Sequence, residues 1–153
     1  MMEQRAEQTS TSRGSSNLNQ LLLEFGRDYE RRVMAELQRR GHNLVRPSHT
    51  SVFSHLGQGA VRVTELAERS HVTQQAMGKM LKELERIGYV VRDIDGSDRR
   101  AKKIRPTERG LELMREMANV VAEVREFYVS KVGDDTLQEL EDKLKHCIRQ
   151  IQP

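Results

Sequence analysis

The chain has 153 residues, of which 32% are charged and 4% aromatic, with 26 Lys and Arg against 23 Asp and Glu and no Trp. This length suits one domain with a helical extension, and the shortage of aromatic residues disfavours an enzyme with a deep aromatic pocket. The single cysteine, Cys147, excludes an intramolecular disulfide and a cysteine-based metal site. The N-terminus lacks a signal-peptide core and no run approaches the roughly 18 apolar residues of a membrane span, which predicts a cytoplasmic protein without membrane segments.

The N-terminal part predicts a tail followed by a helix. Residues 1–16 are rich in Gln, Ser, Thr and Glu and predict a disordered polar tail. From Asn17, apolar residues recur at helical spacing as far as Leu37, and Gly41 ends the pattern. At about 1.5 Å per residue this helix is about 35 Å long, too long for one small neighbour to cover.

Shorter elements follow. The pattern predicts a helix at 49–56, a short strand at Val61 and Val63, a third helix that Thr64 caps and a fourth helix that Thr73 caps. The third and fourth helices are separated by a short turn, which is the order of a helix-turn-helix.

The fourth helix has two different faces. Ala76, Met80 and Leu84 are predicted to face the core, with Met77 and Leu81 beside them. The opposite face carries Gln74, Gln75, Gly78, Lys79 and Lys82. Gln can bond adenine with two hydrogen bonds in the major groove, Lys can reach guanine or phosphate, and Gly allows close approach. An ordinary polar helix surface is the alternative, since Gln and Lys are common there.

A basic β-hairpin is predicted directly after this helix. Two strand-like runs, 89–94 and 99–105, flank a polar turn that contains Gly. Five of the seven residues in the second run are Lys or Arg, which suits an anionic partner. Arg99 is placed to enter a minor groove, whereas Arg100 and Lys102 are placed for phosphate or for pairing with nearby Asp.

The C-terminal part predicts two more helices. Thr107 caps a long helix that Gly133 ends, and a last helix carries an apolar stripe as far as Ile151. Regions 17–41 and 107–153 therefore have more apolar surface than one small domain can cover, which predicts an intertwined homodimer.

Several segments together resemble the MarR family of bacterial transcription regulators. The wing and the next helix carry Asp98-Arg99-Arg100-Ala101-Lys102 and Pro106-Thr107-Glu108-Arg109-Gly110, and the reading module carries Thr64-Glu65-Leu66-Ala67 and Leu84-Glu85-Arg86-Ile87-Gly88-Tyr89-Val90. The resemblance covers residues 17–151. It implies a triangular homodimer whose first and last helices pair, and whose two winged helices read a pseudo-palindrome, usually as a repressor released by a small, often phenolic, ligand.

Two residues depart from the pattern of that family. Gly78 stands where the family often has Ser or Thr, which removes a hydroxyl contact. Pro106 stands where Leu is commoner, which predicts that the last strand of the wing ends early.

The predicted fold is mainly α with a small β-hairpin wing: a winged helix-turn-helix at 47–106 between long N- and C-terminal dimerisation helices. The predicted function is a sequence-specific transcription regulator, a repressor, that binds double-stranded DNA as a homodimer. The predicted DNA contacts are Thr64, Thr73, Gln74, Gln75, Gly78, Lys79, Lys82, Arg99, Arg100 and Lys102. A small-molecule effector is expected in an apolar pocket between the reading domain and the dimer helices, lined by Phe25, Tyr29, Phe53 and Met114.

Rival functions are an enzyme, a winged helix that binds an acidic protein partner, and a redox sensor that uses Cys147. The five His residues form no i, i+4 ligand pair and no nucleophile, P-loop or dinucleotide motif is present, so neither catalysis nor a metal or other cofactor is expected. Cys147 lies on the apolar stripe of the last helix, where a cysteine is usually an inert small hydrophobe.

Overall fold

The computed structural model describes the backbone of residues 13–95 and 98–152 and the side chains of residues 17–93 and 103–152. Residues 1–12 of the predicted tail lie outside the described residues. The elements are α1 (Arg13–Arg39), α2 (Pro47–Leu56), β1 (Val61–Arg62), α3 (Val63–Arg69), α4 (Gln74–Arg86), β2 (Val90–Asp95), β3 (Asp98–Pro106), α5 (Glu108–Val132) and α6 (Asp134–Ile151). The fold is mainly helical with a small wing, as the sequence predicts.

Helix α1 begins at Arg13, four residues before the predicted start at Asn17, so residues 13–16 of the predicted tail belong to the helix. Residues 13–16 are Arg, Gly, Ser and Ser: Arg favours a helix and Ser costs about half a kcal/mol relative to Ala, and an established helix extends through them in spite of the cost of about 1 kcal/mol at Gly14. The low apolar content of this segment was therefore a poor guide to where the helix begins.

The three strands form one antiparallel sheet in the order β1-β3-β2. Val61 pairs with Ile104, which attaches the short strand before α3 to the predicted hairpin. Val90 pairs with Pro106 at the other edge, so the prediction that Pro106 shortens β3 is wrong. Proline lacks only the N–H donor, and at the first or last pair of a ladder its carbonyl and its extended backbone still fit.

The start of α3 differs from the prediction. Val63 is already helical, Arg62 occupies the N-cap position with extended backbone, and no side chain caps the helix. Thr64 is an exposed residue of the first turn and not the cap. The reason is that β3 holds β1 as far as Arg62, so the chain passes from strand to helix without an intervening residue.

The buried face of α4 is also rotated from the predicted one. Met77, Leu81 and Leu84 are fully buried, whereas Ala76 is exposed and Met80 is half-buried. Residues spaced by four and then three stay on one face, whereas two successive steps of four drift around the helix. The stripe with mixed spacing therefore packs better than the predicted 76–80–84 stripe.

Two predicted helix caps are confirmed. The Thr73 hydroxyl accepts a hydrogen bond from the Ala76 N–H (3.1 Å), and the Thr107 hydroxyl accepts one from the Gly110 N–H (3.2 Å). Gly110 also lets α5 approach the start of β2, because a Cβ there would lie 2.1 Å from the Tyr89 carbonyl oxygen. The start of α5 is thereby fixed against the wing.

Glycine turns bring the ends of α1 and α4 together. Gly41 and Gly88 have φ of +92° and +83°, and the residue after each donates its N–H to a carbonyl in the last turn of the helix: His42 to Leu37 (3.0 Å) and Tyr89 to Leu84 (2.9 Å). This is the Schellman arrangement. His42 Nδ1 then lies 2.7 Å from the Tyr89 hydroxyl in the core, so α1 is tied to the root of the wing.

His42 predicts a pH dependence of stability. The imidazole is 3% exposed, and burial lowers the pKa of His42 below its ordinary value, Arg109 adding to this effect while Glu112 and Glu116 oppose it. The unfolded chain therefore binds the proton more readily, so this contribution is complete above the unfolded pKa of about 6.5 and is lost as the pH falls below it. At fixed protein concentration, the free energy of unfolding should decrease from pH 7.5 to pH 5.5, and the decrease should be smaller in His42→Gln. Equal slopes in the two proteins would contradict this assignment.

The terminal halves of α1 and α6 expose large apolar side chains in the single chain. On α1 these include Leu18, Leu21, Leu22 and Phe25, with Leu23 beside them, and on α6 they are Leu140, Leu144, Ile148 and Ile151. The stripes have helical spacing, as the sequence predicts. None of the described helices is long and apolar enough to cross a membrane.

Candidate nucleic-acid interface

The predicted reading residues of α4 share one open face. Gln74, Gln75, Lys79 and Lys82 are exposed and Gly78 is half-exposed. A shallow hollow on this face is lined by Thr73, Gln75, Ala76, Gly78, Lys79 and Lys82. The structure therefore brings six of the predicted contacts, Thr73 to Lys82, onto one helix, and Thr64 lies apart on α3.

Gly78 predicts opposite effects on stability and on DNA binding. A Cβ at Gly78 would meet nothing within 4 Å, so Gly78→Ala should raise the free energy of unfolding by about 0.5–1 kcal/mol through helix propensity. If this face lies on a groove floor, the same methyl group should weaken DNA binding about tenfold, as overpacking does in a close interface. Chemical denaturation and duplex titration measure the two effects. Unchanged affinity would show that Gly78 does not approach the DNA.

The turn before α4 is held by its own backbone. His71 has a φ of +53°, the only positive value among the described non-glycine residues. Its N–H is donated to the Glu68 carbonyl (3.1 Å) and that of Val72 to the Ala67 carbonyl (3.1 Å). These bonds end α3 as Gly41 ends α1 and Gly88 ends α4, and they set the angle at which α4 leaves the turn.

The wing lies next to this helix in the chain. The backbone of Arg99, Arg100 and Lys102 belongs to β3, and Lys102 pairs with Ile94 across the hairpin. Their side chains lie outside the described residues, as does the whole of Gly96 and Ser97 at the turn. Their assignment to DNA contact remains a prediction.

Ion pairs at the root of the wing were not foreseen from the sequence. Arg105 Nε lies 2.5 Å from a carboxylate oxygen of Asp93 on the neighbouring strand, and Arg92 Nε lies 3.1 Å from Glu85 on α4. These pairs neutralise part of the positive charge at the base of the hairpin. The local excess of Lys and Arg in the sequence therefore overstates the charge available to a partner there.

The reading face ends at an acidic residue. Glu83 follows Lys79 by one helical turn, and its carboxylate accepts from His49 Nε2 (3.1 Å) and pairs with Arg46 (3.1 Å). The His49 hydrogen bond, with the charge of Arg46 adding to it, lowers the pKa of Glu83. Neither His49 nor Glu83 was predicted as a site residue, because the contact joins residues 34 positions apart.

The four predicted pocket residues divide between two places. The ring centroids of Phe25 and Tyr29 lie 5.0 and 6.3 Å from that of Tyr128 on α5, whereas Phe53 packs 6.4 Å from Tyr89 under the wing. Met114 is half-buried against the core. The effector pocket therefore remains a prediction.

A polar group accompanies the aromatic residues between α1 and α5. Asp28 accepts from the Tyr128 hydroxyl and from Arg32 Nε, both at 2.7 Å, and these bonds lower the pKa of Asp28. The guanidinium of Arg32 lies 3.7 Å from the centre of the Phe127 ring. Aromatic rings, a cation and a carboxylate thus meet beside the exposed apolar stripe of α1.

Other chemistry is sparse. In the part of the chain whose side chains are described, no three His, Cys, Asp or Glu residues are grouped so that they could hold a metal ion. Cys147 is exposed in the single chain and lines a shallow hollow on α6 together with Lys143 and His146.

The fold defines the class of the protein: a winged helix-turn-helix with long flanking helices. Residues 57–102 match the model of the MarR family, which confirms the resemblance seen in the sequence over this segment.

Solved structures of this class have the same fold. A MarR-family regulator from Rhodococcus sp. RHA1 is 24% identical, with 88% of this chain and 94% of that chain covered and a TM-score of 0.68. MarR from E. coli in its apo form is 19% identical, with 85% and 96% covered and a TM-score of 0.67. A mutant of S. aureus MepR bound to an oligodeoxyribonucleotide is 17% identical, with 88% and 98% covered and a TM-score of 0.56. At these identities the likeness shows the fold.

Proposed function

We propose that the protein is a transcription regulator that binds a specific inverted-repeat DNA sequence as a homodimer. The observation that carries the proposal is the open face of α4, where two Gln and two Lys side chains and a glycine lie together. Gln supplies paired donor and acceptor groups that match a base edge, and Lys supplies charge for phosphate. The solved MepR complex with an oligodeoxyribonucleotide lends support by analogy of fold.

The dimer is supported by the apolar stripes of α1 and α6, which the single chain leaves exposed. A second copy of the same chain could cover both stripes through one two-fold interface. Such a dimer would present two α4 helices related by the same axis, and it would therefore match a DNA site with the same symmetry.

The proposal extends to repression of transcription and to release of the protein from DNA by a ligand. A repressor acts by occupying its site, and a small apolar or phenolic ligand between the dimer helices and the winged domain would change the separation of the two α4 helices. The aromatic residues around Tyr128, with Arg32 beside them, lie between α1 and α5, and their chemistry supports a ligand of this kind on the side of the dimer helices. The protein would act by binding and not by catalysis, in the cytoplasm with the DNA.

Selection of duplexes from a random-sequence library by the purified protein tests the proposal. The expected product is an inverted repeat whose half-site centres lie about 10 bp apart, or a multiple of that distance. Recovery of a single unrepeated half-site would contradict the dimeric mode. Binding that depends on neither duplex sequence nor duplex length would instead favour the alternative, in which the winged helix binds an acidic protein partner.

A further inference from the structure

The buried imidazole of His49 joins α2 to the reading helix. His49 is 1% exposed, its Nδ1 lies 3.2 Å from the Arg46 backbone nitrogen, and its Nε2 lies 3.1 Å from Glu83 Oε2 on α4. Arg46 Nη2 lies 3.1 Å from the same carboxylate oxygen. We call His49, Arg46 and Glu83 together the α2–α4 clamp.

The partners fix the protonation pattern of the ring. The Arg46 backbone N–H can only donate, so Nδ1 must accept and the proton of a neutral imidazole lies on Nε2. Nε2–H then donates to the ionised carboxylate of Glu83, a charge-assisted bond that is stronger than one between neutral groups. One buried ring therefore completes the capping arrangement of α2 and holds a residue of α4 at the same time.

Glu83 occupies a special place on α4. The row Gln75, Lys79, Glu83 advances by four residues at each step, so it runs along one side of the helix and turns slowly towards the core. Met77, Leu81 and Leu84 pack on the opposite side, and this packing sets the face that α4 turns to the core. The hydrogen bond to Glu83 is directional, and it adds a narrower constraint on the rotation of the helix about its own axis.

We propose that His49 and Glu83 are positioning residues for sequence reading: the α2–α4 clamp sets the rotation of α4 about its axis, and so determines which base edges Gln75 and Lys79 reach. This inference rests on the proposed function. Paired hydrogen bonds from an amide to a base tolerate little misplacement, whereas the attraction between Lys and phosphate tolerates more. Loss of the clamp should therefore reduce sequence discrimination more than total affinity.

The test uses the selected duplex and a scrambled duplex of the same length, with the ratio of the two dissociation constants as the readout. Both duplexes bind the same folded protein, so a loss of folded fraction weakens both equally and leaves the ratio unchanged. Glu83→Ala should reduce the ratio about tenfold, because it removes the carboxylate that both His49 and Arg46 contact. Glu83 is half-exposed, so its truncation leaves no buried cavity. Glu68→Ala is the matched control, since Glu68 is an exposed acidic residue of α3 and its removal changes the net charge of the domain by the same amount.

Variants at His49 test the same inference from the buried side. His49→Leu should reduce the ratio as Glu83→Ala does, and the double variant should add little more, because both remove one interaction. His49→Gln should keep most of the ratio, since a primary amide can accept from Arg46 and donate to Glu83.

Each outcome is decisive. A ratio that stays at the wild-type value in Glu83→Ala, or that falls equally in Glu68→Ala, overturns the inference while the proposed function stands. Equal losses in His49→Gln and His49→Leu also overturn it. A wild-type protein with no preference between the two duplexes overturns the proposed function and this inference with it.

Discussion

Replacing Leu144 and Ile148 on α6 with Glu is expected to convert the proposed dimer to monomers. Both side chains are exposed in the single chain, so the change should cost the monomer little, but in the dimer each would leave a buried apolar contact. Burying such a side chain is worth about 1.5 kcal/mol at the low end, and two-fold symmetry doubles the loss. The total of about 6 kcal/mol corresponds to a rise of about 10⁴-fold in the dissociation constant of the dimer.

Analytical ultracentrifugation over a range of concentrations measures this effect. Leu44→Glu is the control, because Leu44 is an exposed leucine in the loop before α2 and lies outside the stripes of α1 and α6. Removing residues 134–153 altogether should leave insoluble or unfolded protein, since α1 and α5 then lack cover. An intact dimer from the double Glu variant would refute the assembly. A soluble, well-folded monomer from the truncation would refute the claim that the dimer is obligate for folding.

Substitutions on α4 and on the wing are expected to have different effects on DNA binding. Gln75→Ala should flatten the sequence preference at one or two positions in each half-site, with a loss of roughly 1–3 kcal/mol of discrimination and an almost unchanged salt dependence. Arg99→Ala should weaken binding to all sequences, most at A·T-rich flanks, and should lower the salt slope by about 1 per site. The reason is that an amide matches a particular base edge, whereas a guanidinium responds to phosphate or minor-groove potential.

Titration of both variants against the selected and scrambled duplexes at several salt concentrations separates these effects. Arg115→Ala provides a control for the loss of one positive charge, since Arg115 is exposed and belongs to α5 and not to α4 or the wing. Equal weakening of the two duplexes by Gln75→Ala would show that α4 does not read sequence. An unchanged affinity and salt slope in Arg99→Ala would show that the wing does not anchor the protein.

Local signals in the sequence determined the helix ends well. Thr73 and Thr107 cap the helices that follow them, because each hydroxyl accepts a hydrogen bond from an N–H three residues later. Gly41 and Gly88 end the helices before them, because each adopts a positive φ. Both effects act within one turn of the chain. The order of two short helical segments followed by a basic hairpin could also be read from residues that are close together in the sequence. These signals were sufficient to predict the winged helix-turn-helix.

Only the tertiary structure decided which side of each element meets a neighbour. The sequence allowed a 76–80–84 stripe on α4, and the core selected Met77, Leu81 and Leu84 because their spacing keeps three larger side chains on one face. Thr64 has the residue type of a cap, yet the pairing of β1 with β3 begins α3 one residue too early for it. In both cases a long-range contact overrode a local preference.

One part of the candidate site can likewise be predicted from the sequence, and the other part depends on the tertiary structure. The composition of the α4 face and the basic character of the wing can be read from the sequence, because residue type and helical period suffice. The clamp between His49 and Glu83 and the bond between His42 and Tyr89 join residues 34 and 47 positions apart. No periodicity in the sequence encodes such pairs, because they depend on how the helices pack around a common core. That packing brings the polar atoms within hydrogen-bond distance.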